Sequence, residues 1–162
     1  MIFAAYKKTF LIKKNIKTTI GRYESVSFPS FELGNIHAKI DTGADSSAIH
    51  CSEIKVIKKN GVYILAVKFL DKHHLAFNNI IHEFSNYKCK RVKNSFGKVE
   101  ERYIIKSIIK IGEREILTDL SLAKRSSMNY AVLLGRKFLK GKFLVDVAKR
   151  YLLSDSNIKI NL

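Results

Sequence analysis

The segment that decides the fold of this chain reads AKIDTGADSSA over residues 38–48. Apolar Ile36, Ala38 and Ile40 alternate with polar residues, and this period of two predicts a half-buried strand that ends at Asp41. The strand leads into a turn of small residues, where Gly43 has no Cβ to keep backbone N–H groups away from a carboxylate. Because a general acid or base must first be held in a fixed position, we interpret Asp41 as a candidate catalytic group.

A second informative segment reads AVLLGRKFL over residues 131–139, which is a short apolar run, then Gly135 and Arg136, then a return to apolar residues. Together, the DTGAD and LLGR segments resemble the two halves of a retroviral-type aspartic protease (retropepsin) subunit. In that family, the strand that ends in Gly-Arg passes beside the Asp-Thr-Gly loop. The resemblance therefore implies a retropepsin-like fold with its catalytic aspartate in this loop.

The same resemblance implies a role for each residue of the two segments. The catalytic loop would be Asp41, Thr42 and Gly43, with Asp41 as the acid and Thr42 bracing the loop of a partner subunit. Asp45 would form a bidentate ion pair with Arg136 that orders the loop, whereas two separately solvated charges are the alternative. The residues expected to support the site are Ala44, Asp45, Gly135 and Arg136.

A longer set of segments, found in the same order, resembles one family in particular: the ATP-dependent zinc proteases associated with RimK, an ATP-grasp ligase. The matches cover most of residues 18–153, so the resemblance spans nearly the entire domain. The chain differs at Asp45, where the family usually has a basic residue. The matching segments are TIG (19–21), AKIDTGA (38–44), SAIH (47–50), RVKNS (91–95) with Gly97, ER (101–102), RSSM (125–128), LLGR (133–136) and FLVD (143–146).

The residues themselves carry no signal for the metal or the nucleotide in that family's name. There is no HExxH motif, since His82 and Glu83 are not followed by a second histidine, and there is no GxxxxGK[ST] motif. A zinc site built from His50, Cys51, His82 and Cys89 would lack the paired ligand spacing that is typical of structural zinc. We therefore expect no metal and no cofactor, with a metal-dependent peptidase as the weaker alternative.

The chain contains one Asp-Thr-Gly motif, whereas an aspartic protease needs two carboxylates around one water. The other aspartates that we considered lack the small-residue turn, and they are Asp71, Asp119, Asp146 and Asp155. The second carboxylate is therefore expected from another copy of the chain, and a twofold dimer is the commonest oligomer. We predict a homodimer whose active site lies at the interface.

A hairpin around residues 94–97 lies where retropepsins carry a flap over the substrate. Gly97 would give the tip backbone freedom, and a lid that closes excludes water. Basic residues near the hairpin would then face an anionic substrate, although an ordinary surface hairpin with solvated charges is an equal alternative. The flap and substrate residues are Asn94, Ser95, Phe96 and Gly97 at the tip, with Arg91, Lys93 and Arg102 nearby.

The pattern along the whole chain predicts one all-β domain. Many short strands and frequent turns, such as Asn60-Gly61, indicate a barrel or sandwich, and the resemblance narrows this to a closed, retropepsin-like β-barrel with little helix. We expect a basic N-terminal arm over residues 1–18 and the domain over 19–162. The absence of a signal peptide and of a bilayer-length apolar run, with Cys51 and Cys89 as free thiols, indicates a cytoplasmic protein without a membrane partner.

The formal net charge of +16 is unusual for 162 residues, and it predicts attraction to polyanions of any kind. A lysine-rich proteome would produce the same charge without any such partner. Because RimK-type ligases append glutamates to proteins, the resemblance suggests a homodimeric aspartic endopeptidase that acts on acidic, glutamate-rich tails. The alternative is a non-catalytic module of the same fold that binds peptides, RNA or a ribosomal surface through its lysines.

Overall fold

The computed structural model describes residues 17–93, 99–125 and 128–154, which form a mostly β structure with one short α-helix. The strands are β1 Thr18–Gly21, β2 Tyr23–Phe28, β3 Leu33–Ile40, β4 Ser47–Lys59, β5 Val62–Phe69, β6 Ile81–Phe84, β7 Lys88–Lys93, β8 Val99–Ile111, β9 Arg114–Ala123, β10 Val132–Leu134 and β11 Phe143–Asp146. A 3-10 turn covers Pro29–Phe31, and α1 covers Arg136–Leu139. The predicted all-β class with little helix is confirmed.

Six of these strands close into a hydrogen-bonded ring in the order β10–β3–β2–β8–β9–β4, with β4 returning to β10. The short strand β10 closes the ring because it has two neighbours. It runs parallel to β3, with Val132 opposite Ala38, and antiparallel to β4, with Val132 opposite Ile49. This ring is the closed β architecture that the sequence predicted, and it brings the end of β3 beside the end of β10.

The remaining strands extend the ring at its margins. β5 and β6 follow outward from β4, β7 pairs with β8, and β1 and β11 form a separate parallel pair. Asn60 and Gly61 join β4 to β5 with φ angles of 51° and 81°, which is the left-handed region that favours Asn and Gly. The hairpin predicted at Asn60-Gly61 is therefore confirmed.

The alternation that predicted the Asp-Thr-Gly strand corresponds to burial in the fold. Ile36, Ala38 and Ile40 on β3 face the core, where each is at most 7% exposed, whereas Lys39 is exposed. The core also contains Phe31 stacked on Phe69, with 4.3 Å between ring centroids. Since β3 is anchored on one face by apolar burial, its last residue delivers Asp41 to a defined position.

A buried carboxyl group connects the C-terminal segment to the ring. Glu24 on β2 is fully buried, and its Oε1 accepts hydrogen bonds from the backbone N–H of Gly21 at 2.7 Å and of Leu152 at 3.0 Å. Its Oε2 accepts a third from Leu153 at 3.1 Å. Because a buried carboxyl group is costly unless its oxygens are hydrogen-bonded, these contacts hold residues 152–153 against β2.

The predicted basic arm over residues 1–18 lies almost entirely outside the described residues. The part that is described shows Thr18 as the first residue of β1, paired with Phe143 of β11. Within the described ranges, none of the helices could span a bilayer, since α1 has only four residues.

Candidate active site

Asp41 follows β3 directly, and the neighbouring strand positions its backbone. The Asp41 N–H donates to the carbonyl of Leu134, the last residue of β10, at 2.9 Å. Its carboxylate Oδ1 accepts hydrogen bonds from the N–H groups of Gly43 and Ala44, each at 3.1 Å. The carboxylate therefore has the fixed geometry expected from a small-residue turn, and a catalytic role for it stays a prediction.

The rest of the Asp-Thr-Gly loop is open to solvent on one side. Thr42 and Gly43 are exposed, and Ala44 is half-buried. The half-buried side of the loop rests on the segment that joins β10 to α1.

Gly135 lies so close to the loop that a side chain has no space there. A Cβ at this position would stand 2.6 Å from both the C and O atoms of Ser46 and 3.0 Å from the carbonyl oxygen of Ala44. The Gly135 N–H also donates to Ser47 Oγ at 3.2 Å. The glycine predicted as structural support thus allows two backbone segments to touch.

Arg136 supports the loop by a different contact from the predicted ion pair. Its backbone N–H donates to the Ala44 carbonyl at 2.9 Å, and its Nη1 donates to the carbonyls of Thr42 at 3.2 Å and Gly43 at 2.5 Å. Its ion pair with Asp45 is longer than these hydrogen bonds, with Nη2 of Arg136 lying 3.9 Å from Oδ1 of Asp45. The predicted ion pair with Asp45 is therefore present as one long contact, and it is not bidentate because Nη1 is directed at the loop carbonyls.

Asp45 binds the next residue along, Lys137, which the sequence analysis did not name. Lys137 Nζ lies 2.7 Å from Asp45 Oδ2, and the Lys137 N–H donates to the Asp45 carbonyl at 3.0 Å. The hydrogen bond from Lys137 is the main reason that the pKa of the Asp45 carboxyl lies below its ordinary value, and the charge of Arg136 contributes. Both side chains are largely exposed, so this contact orders the loop more than it stabilises the fold.

A cavity of about 490 Å³ opens beside Asp41. Its wall is part polar and part apolar, and it carries two basic side chains together with the Asp41 carboxylate. The lining residues are Lys39, Asp41, Arg125, Met128, Asn129, Tyr130 and Leu133. Sequence reasoning had assigned a role in the site to none of these residues except Asp41.

One wall of this cavity is held by a histidine that joins three segments. His50 is 5% exposed, and its Nδ1 accepts the backbone N–H of Arg125 at 2.8 Å. Its Nε2 lies 3.2 Å from Asp71 Oδ2. The backbone N–H of His50 donates to the Ala131 carbonyl at 2.7 Å. Since Nδ1 is an acceptor, the proton sits on Nε2 and points at Asp71. His50 thus holds Arg125, Asp71 and Ala131 in place around one buried ring.

Asp71 gives this network a pH dependence. The N–H of His73, and then the contact with His50, hold the pKa of the Asp71 carboxyl below its ordinary value. Because the folded state binds this proton less tightly than the unfolded chain, the stabilisation is present above the ordinary carboxyl pKa of about 4 and is lost as pH falls further.

We expect the free energy of unfolding, measured in urea at each pH, to fall more steeply in wild type than in Asp71→Asn over acidic pH. Parallel curves would contradict this role.

The hairpin predicted as a flap has its two arms in the structure. β7 and β8 pair antiparallel from Lys88 opposite Ile104 to Lys93 opposite Val99. The predicted tip residues Asn94, Ser95, Phe96 and Gly97, and the side chain of Lys93, lie outside the described residues. Its role as a flap stays a prediction.

Two of the basic residues assigned to substrate contact lie beside acids of the same hairpin. Arg91 on β7 stands opposite Glu101 on β8, with its Nε 4.0 Å from Oε1. Arg102 forms an ion pair with Glu100. These pairings partly neutralise the hairpin, so its arms are less cationic than the sequence suggested.

The side chains considered for zinc do not come together. His82 packs against Phe31 and Phe69, with ring centroids 5.3 and 5.4 Å away. Cys51 is buried, which raises the pKa of its thiol, and Cys89 is exposed on β7. In the part of the chain that the structure describes, no group of three His, Cys, Asp or Glu side chains is placed to hold a metal ion.

Sequence comparison matches this chain to part of longer curated proteins. The chain is 31% identical over 141 residues to a probable alpha-L-glutamate ligase of Shewanella halifaxensis, covering 87% of this chain and 31% of that protein. A protein of the same name from Parasynechococcus marenigrum is 29% identical over 139 residues, which covers 86% of this chain and 30% of that protein. The chain spans about a third of the length of these curated relatives.

A crystal structure of a protein of unknown function from Legionella pneumophila has the same fold. It superposes with a TM-score of 0.63 at 24% identity, covering 85% of this chain and 99% of that one. The family model for RimB-like proteins, described as the retropepsin-like aspartic endopeptidase RimB, matches residues 19–155. This match includes the Asp-Thr-Gly loop, β10 and the Gly135-Arg136 contact, and it confirms the family that the sequence predicted. The chain belongs to the RimB-like family of retropepsin-like aspartic endopeptidases.

Proposed function

We propose that this protein is a homodimeric aspartic endopeptidase in which Asp41 of each protomer acts on one shared water. The observation that carries the proposal is the Asp41 carboxylate itself. Two backbone N–H groups hold its Oδ1 at 3.1 Å each, while the rest of the group borders a 490 Å³ cavity. A carboxylate that is both fixed and accessible can accept a proton from a bound water.

The chemistry requires a second carboxylate beside the first. One ionised carboxylate removes the proton of the water, while a protonated one polarises the scissile carbonyl, and two like charges about 3 Å apart share a single proton. Among the described aspartates, Asp71 is engaged with His50, Asp119 with Lys106 and Asp146 with Lys149. A second copy of Asp41 across a twofold axis supplies the missing group, and the exposed Thr42 would then brace the partner's loop.

Glutamate-rich protein tails are the proposed substrate. Lys39 and Arg125 line the same cavity as Asp41, and the net charge of +16 would attract a polyanionic tail. The similar proteins are named as probable glutamate ligases, which suggests that a chain related to them meets glutamate as well. The enzyme would remove what such a ligase adds.

The direct experiment uses a peptide that ends in a run of glutamates. Its mass is followed after incubation with the purified protein over a range of acidic and neutral pH, while sedimentation reports the oligomeric state with and without the peptide. Cleavage at a bond within the peptide that shortens the glutamate run, by a dimeric species, supports the proposal. An intact tail at every pH, or a species that stays monomeric with peptide bound, would contradict it.

A second candidate function is binding without turnover, to RNA or to a ribosomal surface. The observation that favours it is the exposed basic strand β7, where Lys88 and Lys90 face solvent. Binding of this kind falls steeply with added salt because it releases counterions from phosphates. RNA affinity that decreases with salt and is unchanged in Asp41→Asn, in a protein without peptidase activity, would favour the binding module.

A further inference from the structure

Arg125 has a buried polar atom that the described protein does not satisfy. It lies two residues after the end of β9 and is about half buried. Its Nε is inaccessible to solvent and has no hydrogen-bond partner among the described residues. Guanidinium groups that lose water without gaining an acceptor are costly, so such an atom calls for an acceptor from beyond the described residues.

The position of Arg125 is fixed by the backbone rather than by its charge. Its N–H donates to His50 Nδ1 at 2.8 Å, and His50 is in turn held by Asp71 and by the Ala131 carbonyl. This network fixes the backbone of Arg125 at the wall of the cavity that its side chain lines. The site is therefore built in advance of any ligand, which lowers the cost of binding one.

The surroundings of the Arg125 side chain favour an anion. It lines the same cavity as Asp41, together with Lys39, Asn129 and Tyr130. Burial is the main reason that the pKa of Arg125 is lowered, and the nearby positive charge of Arg102 adds to it. A carboxylate from outside would relieve both, because it offers two oxygens in the planar fork geometry that a guanidinium matches.

We propose that Arg125 is the specificity residue of this site and binds a side-chain carboxylate of the peptide beside the bond that Asp41 acts on. The inference rests on the proposed function and deepens it, since it assigns selection of an acidic side chain to one residue instead of to the net charge. Arg125 touches the substrate in this scheme and takes no part in proton transfer.

The test compares two peptides that differ only in a glutamate or a glutamine tail. Wild type is expected to cleave the glutamate peptide with the higher kcat/KM. In Arg125→Gln the ratio of the two kcat/KM values falls about ten- to hundredfold, because one charge-assisted hydrogen-bonded contact is lost. Arg125→Lys keeps the charge without the fork and restores part of the ratio. Thermal unfolding of each variant reports whether it is folded.

Lys124→Gln is the matched control. It removes the same charge one position away, but Lys124 is exposed and does not line the cavity. We expect its ratio to stay within about twofold of wild type, as is usual for an exposed charge. An unchanged ratio in folded Arg125→Gln would overturn the inference. An equal fall in Lys124→Gln and Arg125→Gln would also overturn it, since the preference would then come from diffuse charge.

A binding experiment separates failure of this inference from failure of the proposed function. Affinities of both peptides are measured by calorimetry on Asp41→Asn and on Asp41→Asn with Arg125→Gln, so no turnover is needed. If wild type cleaves neither peptide, the proposed function fails. The inference is still supported if Asp41→Asn binds the glutamate peptide more tightly than the glutamine peptide and the added Arg125→Gln substitution removes this preference. Equal affinity of the single and the double variant for the glutamate peptide overturns the inference.

Discussion

Asp41→Asn should lower kcat on a glutamate-tailed peptide by at least about 10³-fold, because general acid–base catalysis of this kind typically contributes 10²- to 10⁴-fold and both members of the pair are lost together. The fold should remain, since an asparagine oxygen can still accept the N–H groups of Gly43 and Ala44. The measurement is the initial rate by mass spectrometry, with circular dichroism and thermal unfolding to verify the structure.

Asp119→Asn is the control for this substitution. It makes the same chemical change on β9, where the carboxylate contacts only Lys106 at 3.2 Å among described side chains, so full activity is expected.

Mixing wild type with Asp41→Asn tests the dimer as well. If one site needs two ionisable aspartates, activity should fall with the square of the wild-type fraction once the protomers have exchanged. Activity that falls linearly with the wild-type fraction, or full activity of Asp41→Asn, would contradict a mechanism that needs two aspartates.

Gly135→Ala should impair both stability and activity. The new Cβ would meet the Ser46 C and O atoms at 2.6 Å, and backbone atoms cannot turn aside as a flexible side chain can. Either β10 or the loop that carries Asp41 must shift, and overpacking of this kind costs about 1–3 kcal/mol. Because small displacements of a reacting group are costly, we expect kcat to fall about 10²-fold as well.

Urea unfolding and peptidase rates measure the two effects separately. Gly34→Ala is the control, since its Cβ would find only Ser27 Oγ at 4.0 Å and its φ is not in the left-handed region. That variant should be as stable as wild type or slightly more so, because alanine restricts the unfolded chain. A Gly135→Ala protein with wild-type stability and rate would show that the loop and β10 can separate without consequence.

The arrangement around Asp41 could be predicted from the sequence because it is local. The two N–H donors lie two and three residues after the carboxylate that they bind. The preceding strand is recognisable because apolar and polar residues alternate along it. The turn at Asn60-Gly61 follows from the same kind of short-range chemistry, since both residues tolerate positive φ. Such features depend on neighbours in the chain and need no knowledge of the fold.

The prediction for Arg136 shows where a resemblance between short segments ends. The sequence placed Gly135 and Arg136 beside the loop correctly, but it paired Asp45 with Arg136 and assigned no role to the adjacent Lys137. In the structure Lys137 takes the carboxylate at 2.7 Å, and Arg136 binds the carbonyls of Thr42 and Gly43. A difference of a few ångströms in the path of the backbone decides such a choice.

The residues that line and support the cavity beside Asp41 were the part of the site that could be predicted least from the sequence. His50 and Arg125 are 75 positions apart, and neither belongs to a motif with a chemical rule, although the RSSM segment that begins at Arg125 did match the family. Only the pairing of β4 with β9 and β10 brings them to one wall. Burial of a guanidinium atom is likewise a property of the packed molecule.

The amino-acid sequence by itself determined the all-β class, the family and the loop that fixes the Asp41 carboxylate, because alternation and turn chemistry act over a few residues. The tertiary structure decided which atoms meet around that carboxylate: Arg136 on the loop carbonyls, Lys137 on Asp45, and Arg125 in the cavity. These contacts join residues far apart in the chain, and only closure of the six-stranded ring sets their distances.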